Sequence, residues 1–263
     1  MNYNESSGVP SFSNRILSIW YRHFRVYISS FFSNAFPPFL EPVIFLMAMG
    51  IGVGSFIQNM GNMSYTLFLA SGLVVTSAMY SASFECTFGT FIRLEFDKIY
   101  DGMLGAPISP KNLIIGELLF VGTKGLFFSF AVLCVIWIIG IINYPLSILA
   151  IFVGFITGIM FGAISMWITS FVKNINHFNF YFTGLLTPMF FFSGVVFPID
   201  VLPKPLTYLA EIIPLTHVVR MARALCVPGL LNMSLLLDLA YCLAFTAIFG
   251  WLAVRHLKKR LVV

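Results

Sequence analysis

The chain has 263 residues, of which 59% are hydrophobic, 10% are charged and 30 are phenylalanine. A soluble domain of this length needs far more polar surface, so the composition excludes one and predicts an all-α, polytopic membrane protein. The formal net charge of +5 is typical of membrane proteins with basic cytoplasmic loops, and it gives no reason to expect a nucleic-acid partner.

The chain begins with two segments that are not expected to span the membrane. Residues 1–11 are polar and predict a disordered tail without a cleavable signal peptide. Residues 12–263 are then expected to form a single transmembrane domain. From Phe12 to Phe32, apolar and aromatic residues alternate with basic ones. This pattern predicts a basic amphipathic helix that lies in the headgroup region.

Six membrane spans are predicted from runs of about 20 apolar residues. Their approximate ranges are 37–57, 65–92, 112–142, 146–172, 178–197 and 233–254. Between the last two, four prolines break residues 198–232 into pieces too short to span, which favours re-entrant or interfacial helices. The last three spans do not repeat the first three, so an internally duplicated secondary transporter is disfavoured.

The basic residues set the predicted orientation. With both termini inside, eleven of the fifteen fall on the cytoplasmic side: Arg15, Arg22, Arg25, Arg93, Lys98, Lys111, Lys173, Arg255, Lys258, Lys259 and Arg260. Only Lys204, Arg220 and Arg223 fall outside, and Lys124 lies within a span. This bias favours cytoplasmic N and C termini.

The stretch from Arg93 to Pro110 lies between the second and third predicted spans and is strongly charged. It holds three of the ten acidic residues, Glu95, Asp97 and Asp101, and such a charged segment cannot lie in hydrocarbon. Apolar residues recur between the charges, and Gly102, Gly105 and Pro107 supply stop signals. The pattern predicts a short amphipathic helix on the membrane surface, with an ordinary solvated connector as the alternative.

Motifs for catalysis are absent from the sequence. There is no GxxxxGK[ST], HExxH or GxSxG pattern, so the sequence identifies no candidate catalytic residues. The four histidines are widely separated and form no metal-ligand pair. The four cysteines lack CxxC spacing and are expected to be buried thiols. An integral membrane enzyme is therefore a distant alternative.

Four charges are predicted at membrane depth: Glu41, Glu85, Glu117 and Lys124. Such groups are usually paired or face a cavity. Glu117 could lie at the cytoplasmic interface, and Lys124 could meet another carboxylate such as Glu41. A structural ion pair and a substrate path both remain open.

Two further patterns concern packing. Gly154, Gly158 and Gly162 are spaced by four and leave bare patches on one face of the fourth span, which allows close approach of a helix from the same chain or from another. The aromatic residues of the fifth span could line a path for a lipid tail or simply face lipid. They are Phe178, Phe180, Tyr181, Phe182, Phe190, Phe191 and Phe192.

Taken together, the pattern resembles the ABC-2 type exporter permeases over nearly the whole chain, and most closely the nodulation-type branch that exports lipo-oligosaccharides. The stretches that carry the resemblance are Glu41-Pro42-Val43-Ile44, Phe84 to Thr90, Asp101 to Pro107, Ser193 to Pro198 with Leu202-Pro203, and Ile213 to His217 with Arg220.

The resemblance implies a cytoplasmic coupling helix that docks into a separate ABC ATPase. Its residues would be Arg93, Glu95, Asp97, Lys98, Asp101 and Met103. Two ATPase copies would bind ATP with Mg²⁺, since this chain lacks a phosphate loop and would bind no cofactor itself. A second permease copy would complete a dimer in the bacterial inner membrane.

The resemblance also implies that the broken segment before the last span caps the outer end of the path. Lys204, His217, Arg220 and Arg223 would lie there. The three permanent cations could meet anionic lipid or sugar phosphate, or they could simply anchor the segment to the membrane surface. The cargo would be a lipid-linked saccharide or similar amphipathic molecule, with hydrophobic-drug efflux as an alternative. From another class, a proton-coupled secondary transporter would use Glu41, Glu85 and Lys124 as a relay.

Overall fold

Helices make up almost all of the fold, for which we use a computed structural model that describes residues 10–57, 59–60 and 63–261. Residues 1–9 of the predicted tail lie outside this part. The helices are α1 (Phe12–Ser29), α2 (Phe31–Gly52), α3 (Tyr65–Phe84), α4 (Ile99–Leu104), α5 (Pro110–Ile138), α6 (Ala150–Thr169), α7 (Phe178–Tyr181), α8 (Thr187–Phe192), α9 (Lys204–Ile212), α10 (Pro214–Cys226) and α11 (Leu235–Leu261).

Short elements connect some of these helices. Two strands, β1 (Asn59–Met60) and β2 (Met63–Ser64), pair antiparallel between α2 and α3, with Asn59 opposite Ser64. Turns of 3₁₀-helix follow α2 at Val53–Ser55 and precede α6 at Pro145–Leu149.

The helix boundaries follow local chemistry. The Ser109 hydroxyl accepts a hydrogen bond from the Asn112 backbone N–H at 3.3 Å, and Pro110 occupies the first turn of α5. A hydroxyl cap and an early proline both satisfy or remove N–H groups that have no partner in the helix. Ser11 and Ser64 cap α1 and α3 in the same way.

Two of the helices are extended by π-helical turns. Glu85–Gly89 and Ile92–Phe96 continue α3, so that one helix runs from Tyr65 to Phe96. Phe182–Leu186 joins α7 to α8. A π-turn inserts an extra residue and re-aims the side chains around it, and such turns are frequent at functional sites.

The helical segments run alternately between two ends of a bundle, which we call the α4 end and the α10 end. At the α10 end, Arg223 of α10 contacts Phe68 and Ser71 near the start of α3. At the α4 end, Arg260 of α11 contacts Glu95 and the last residue of α6, Thr169. The helix α1 packs beside the first turns of α5, where Ile19 lies against Gly116.

The centre of the bundle is formed by α3, α5 and α6. In the most apolar 18-residue stretch of the extended α3 helix, 83% of the residues are buried, whereas in the equivalent stretch of α11 only 11% are buried. A central helix needs apolar residues on all sides, which explains why α3 has no single apolar face. The helix α11 instead lies at the periphery and exposes side chains such as Leu237 and Trp251.

Among the described residues, four helices are long and apolar enough to cross a membrane: Tyr65–Phe96, Pro110–Ile138, Pro145–Thr169 and Leu235–Leu261. They correspond to the second, third, fourth and sixth predicted spans. The first predicted span falls on α2, where Phe39–Ser55 is a shorter apolar helix. The fifth falls on the segment Phe178–Phe192. This segment ends before the predicted boundary at residue 197, because the chain turns at Gly194, whose φ is +80°. The count of six spans remains a prediction.

Candidate functional site: an amphipathic cavity and a buried charge network

A cavity of about 840 Å³ lies between α1, α2, α3, α5 and the α7–α8 segment. Its aromatic lining consists of Tyr27, Phe45, Tyr80, Phe84, Phe88, Phe120, Phe182, Phe190 and Phe191. Its polar lining consists of His23, Ser33, Glu41, Thr76, Ser77, Ser81, Glu85, Arg93, Lys124 and Thr187. The cavity can therefore contact both the apolar and the polar part of an amphiphile.

The fifth-span aromatics thus divide between two environments. Phe182, Phe190 and Phe191 line the cavity. Phe180 is 78% exposed on the outside of the bundle, and Phe178 is packed between helices against Phe88 and Phe91. The aromatic residues of this segment are thus divided between the cavity wall, the packed interior and the exposed surface, and both predicted roles stay predictions.

Glu85 is the central group of the charged part of the cavity. Its carboxylate accepts from Arg93 Nη1 at 2.6 Å and from Lys124 Nζ at 2.8 Å. Gly89 leaves room for this arrangement, because a Cβ there would lie 3.0 Å from Glu85 Oε1 and 3.3 Å from Arg93 Nη1. The carboxylate partner of Lys124 is thus Glu85 and not Glu41.

A second carboxylate, Glu117, lies directly behind this pair and is 1% exposed. It accepts from the phenol of Tyr100 and from Thr90 Oγ1 at 3.4 Å, and Arg93 Nε lies 3.3 Å away. His23 Nε2 of α1 is 3.2 Å from the same carboxylate. Burial of Glu117 is tolerated because several groups satisfy its charge.

These contacts join the extended α3 helix, α4, α5 and, through His23, α1 into one network. Glu85, Thr90 and Arg93 belong to the extended α3 helix, while Glu117 and Lys124 belong to α5. Tyr100 lies on α4 and also accepts a hydrogen bond from Arg93 Nε at 3.2 Å. Burial raises the pKa of Tyr100 well above its usual value, so the phenol stays protonated and donates to Glu117. The α4 segment is therefore connected to the cavity.

The predicted coupling residues occupy three different environments. Arg93 is part of the buried network. Glu95 binds Arg260 of α11 through Oε1 at 2.8 Å, and Lys98 lies 3.9 Å from its other oxygen. Asp97, Lys98 and Asp101 are exposed, whereas Met103 is half-buried. The chain turns at Lys98, whose φ is +52°, before α4 begins. The structure thus has a short helix in this stretch, but the helix covers Ile99–Leu104 and begins after the first of the predicted coupling residues.

Residues at the α10 end form a second polar cluster. Arg220 binds Glu211 Oε1 at 2.5 Å and Asp238 Oδ1 at 2.9 Å. His217 Nδ1 lies 2.7 Å from the same Asp238 oxygen, and its ring stacks on Tyr241. The cluster holds α9, α10 and α11 together.

Arg223 is also engaged within the chain. Its guanidinium lies 3.6 Å from the centre of the Phe68 ring and donates to the Gly194 carbonyl at 2.8 Å. Contact of Arg220 and Arg223 with anionic lipid or sugar phosphate therefore stays a prediction, and in the structure both side chains have partners within the chain. Of the three cations, only Arg220 forms ion pairs within residues 10–57, 59–60 and 63–261, and Arg223 instead contacts uncharged groups.

The glycines of the fourth predicted span pack inside this chain. A Cβ at Gly158 would lie 2.6 Å from the Val121 carbonyl oxygen and 3.1 Å from the Gly122 Cα. Gly162 likewise faces Val121, and Gly154 faces Ser129. These approaches between α5 and α6 leave no space for a side chain. The four cysteines are free, with three buried and Cys134 half-buried.

Several contributors to these sites were not predicted from the sequence, among them Tyr100, His23 and Asp238. Tyr100 and His23 stand in segments that were assigned to the membrane surface, so neither was expected to reach a buried carboxylate. Asp238 could have been found, because a carboxylate within the predicted sixth span meets the same criterion that selected Glu41 and Glu85.

The chain has apolar helices that surround buried ion pairs and an amphipathic cavity. These features are typical of a polytopic membrane permease, which is the class of protein that we assign. The family model described as ABC-2 type transporter matches residues 14–227, most of the chain. The chain therefore belongs to the ABC-2 type transporter family.

The chain is also similar to curated relatives over most of its length. It is 29% identical over 249 residues to nodulation protein J of Sinorhizobium fredii, covering 94% of each chain. It is 30% identical over 207 residues to nodulation protein J of Rhizobium leguminosarum bv. viciae, covering 79% of this chain and 80% of the relative. It is 23% identical over 209 residues to the inner membrane transport permease YadH of Escherichia coli, covering 77% and 78%.

Proposed function

We propose that the chain is the membrane permease subunit of an ATP-driven exporter, and that it moves an amphipathic, lipid-linked saccharide outward across the bacterial inner membrane. The cavity between α2, α3, α5 and α7–α8 is the observation that carries this proposal, because its lining is aromatic along one part and polar along another. The family and the similarity to nodulation protein J support a transporter permease, and the resemblance to the nodulation-type branch makes a lipo-oligosaccharide the cargo that we propose.

The energy source in this proposal is a separate ABC ATPase present in two copies, because the sequence has no phosphate loop. The exposed groups Asp97, Lys98 and Asp101 at the start of α4 would contact it, and both termini would be cytoplasmic. A second copy of the permease would complete the assembly. The ATPases bind ATP more tightly in one of their two conformations, and this differential binding would drive the permease between its states.

The buried network supplies a route for this coupling. A displacement of α4 moves Tyr100, which holds Glu117, and Arg93 links Glu117 to Glu85 in the cavity wall. The proton-relay alternative is less well supported, since Arg93 and Lys124 both contact Glu85 and leave it no role as a free carboxylate.

The test is affinity purification of the tagged permease, followed by transport in proteoliposomes. We expect a soluble ATPase to co-purify, and uptake of a fluorescent lipo-oligosaccharide to require ATP. The double variant Asp97→Arg/Asp101→Arg should lose the ATPase but remain inserted. Asp200→Arg, which reverses an exposed charge near the α10 end, is the matched control and should retain the ATPase.

Two results would contradict the proposal: recovery of the permease alone with proton-dependent transport, or normal ATPase binding by the double variant. Glu95 is not used in this test, because its bond to Arg260 means that a charge reversal would also disturb the internal packing.

A further inference from the structure

Carboxylates outnumber lysine and arginine cations once Glu117, which lies behind the cavity wall, is counted with the lining residues. Lys124 pairs with Glu85, and Arg93 lies between Glu85 and Glu117, so these two cations already face two carboxylates. Glu41 also lines the cavity, yet it is exposed and has no ion-pair partner in the described part of the chain. It is therefore the carboxylate left over for a ligand.

The hydroxyl groups of the same lining also favour hydrogen-bond donors on the ligand. Thr76 and Ser77 donate their protons to backbone carbonyls of α3 at 3.2 and 2.9 Å, which leaves their oxygens as acceptors toward the cavity. Ser81 is 2% exposed, and its hydroxyl has no hydrogen-bond partner in the structure as described. A buried hydroxyl without a partner is costly, and a ligand could satisfy it.

We propose that Glu41 and Ser81 are the head-group recognition residues of the cavity, and that the ligand carries a donor-rich, uncharged head group such as the hydroxyls of a neutral sugar. An anionic head group would face the carboxylate of Glu41, and it would reach Lys124 only by displacing Glu85. A head group without donors would leave the carboxylate and the hydroxyl oxygens unpaired. The inference rests on the proposed function only in taking the cavity as the transport path.

The test measures binding without ATP or a partner, using the full chain in nanodiscs of zwitterionic lipid with empty nanodiscs subtracted. Three probes share one fluorescent acyl chain: a glucoside, the same glucoside with every hydroxyl methylated, and a sulfate. For the wild type we expect the methylated and sulfated probes to bind at least tenfold more weakly than the glucoside.

The variants distinguish recognition from a structural role. Glu41→Lys should invert the preference, so that the sulfate binds better than the glucoside. Ser81→Ala should weaken the glucoside several-fold and leave the sulfate unchanged. Asp200→Lys, which alters a carboxylate outside the cavity, should leave the ranking as in the wild type.

Tightest binding of the sulfate by the wild type, binding of none of the probes, or a ranking unaffected by Glu41→Lys would each overturn the proposal. ATP-driven export by the intact permease–ATPase complex is scored separately. If export requires ATP but the ranking does not depend on Glu41, only the recognition proposal fails. If the ranking holds but ATP drives no export, the proposed function fails.

Discussion

Tyr100, on the short helix α4, donates its phenol proton to Glu117, which is buried on α5. The same phenol accepts from Arg93, so one side chain joins the surface helix to both carboxylates of the network. Hydrogen bonds to a charged group contribute about 1.5–3 kcal/mol, more than those between neutral groups. Breaking this contact is therefore costly, and the proposed coupling of α4 to the cavity wall can be tested at Tyr100.

Replacing Tyr100 by Phe should uncouple the surface helix from the cavity. The ring still fills its buried site, but Glu117 loses a donor, and we expect ATP-driven export to fall about tenfold, as one lost charged hydrogen bond allows. Co-purification of the ATPase should be unchanged, since Asp97 and Asp101 remain in place. Transport assays on the purified complex measure the first effect, and pull-down measures the second.

Tyr208→Phe is the control for that change, because Tyr208 is 73% exposed on α9 and far from the network. Export that is equally reduced in both variants, or normal in Tyr100→Phe, would show that the phenol of Tyr100 does not couple the two regions.

The buried pair of Lys124 and Glu85 gives a prediction about stability. Removing one partner of a buried ion pair leaves an uncompensated charge and costs about 3–5 kcal/mol. Lys124→Met should therefore lower the thermal unfolding temperature of the detergent-purified protein strongly. Glu85→Gln should do the same, because it leaves both Lys124 and Arg93 without this carboxylate.

The double variant Glu85→Gln/Lys124→Met should recover part of the loss but not all of it, since Arg93 still lacks one partner. Fully additive effects in this cycle would show that the two side chains do not interact energetically.

The sequence predicted the helical permease fold well because its signals are local. Runs of apolar residues predict the four long helices, and Arg93 to Pro110 predicts a surface helix near where α4 lies. The helix boundaries were less accurate at 178–197, where the turn at Gly194 ends the segment early.

Partner choice was harder to predict, because it depends on how distant segments pack. Glu41 and Glu85 are equivalent as intramembrane carboxylates in the sequence, yet only Glu85 lies beside Lys124. The extra residue of the π-turn at Glu85–Gly89 changes the direction of the side chains, and a regular 3.6-residue period cannot anticipate it. Arg220 and Arg223 looked like exposed cations, but partners from α11 and α3 became visible only in the fold.

Close packing of α5 on α6 predicts a severe effect at Gly158. A side chain there would press on the Val121 carbonyl oxygen and the Gly122 Cα, which are backbone atoms that cannot move aside. Overpacking costs about 1–3 kcal/mol and can cost more when backbone must shift. Gly158→Val should therefore reduce the yield of folded protein in size-exclusion chromatography.

Gly250→Ala on α11 is the matched control, because a Cβ at Gly250 meets nothing within 4 Å. Alanine is favoured over glycine in a helix, so this variant should be neutral or slightly stabilising. A normal elution profile for Gly158→Val would contradict the contact between α5 and α6.

The cluster at the α10 end allows two carboxylates to be compared on one arginine. Asp238 is 2% exposed and holds both Arg220 and His217, whereas the Glu211 side chain is 46% exposed and holds Arg220 only. Asp238→Ala should cost more than Glu211→Ala, because it removes a buried acceptor shared by Arg220 and His217, whereas an exposed pair contributes about 1 kcal/mol or less. Thermal unfolding of both variants at low and high salt measures the difference. Salt should weaken the contribution of Glu211 more than that of Asp238, since exposed pairs are screened and buried ones are not. Equal losses in the two variants would mean that α11 is not held to α10 through Asp238.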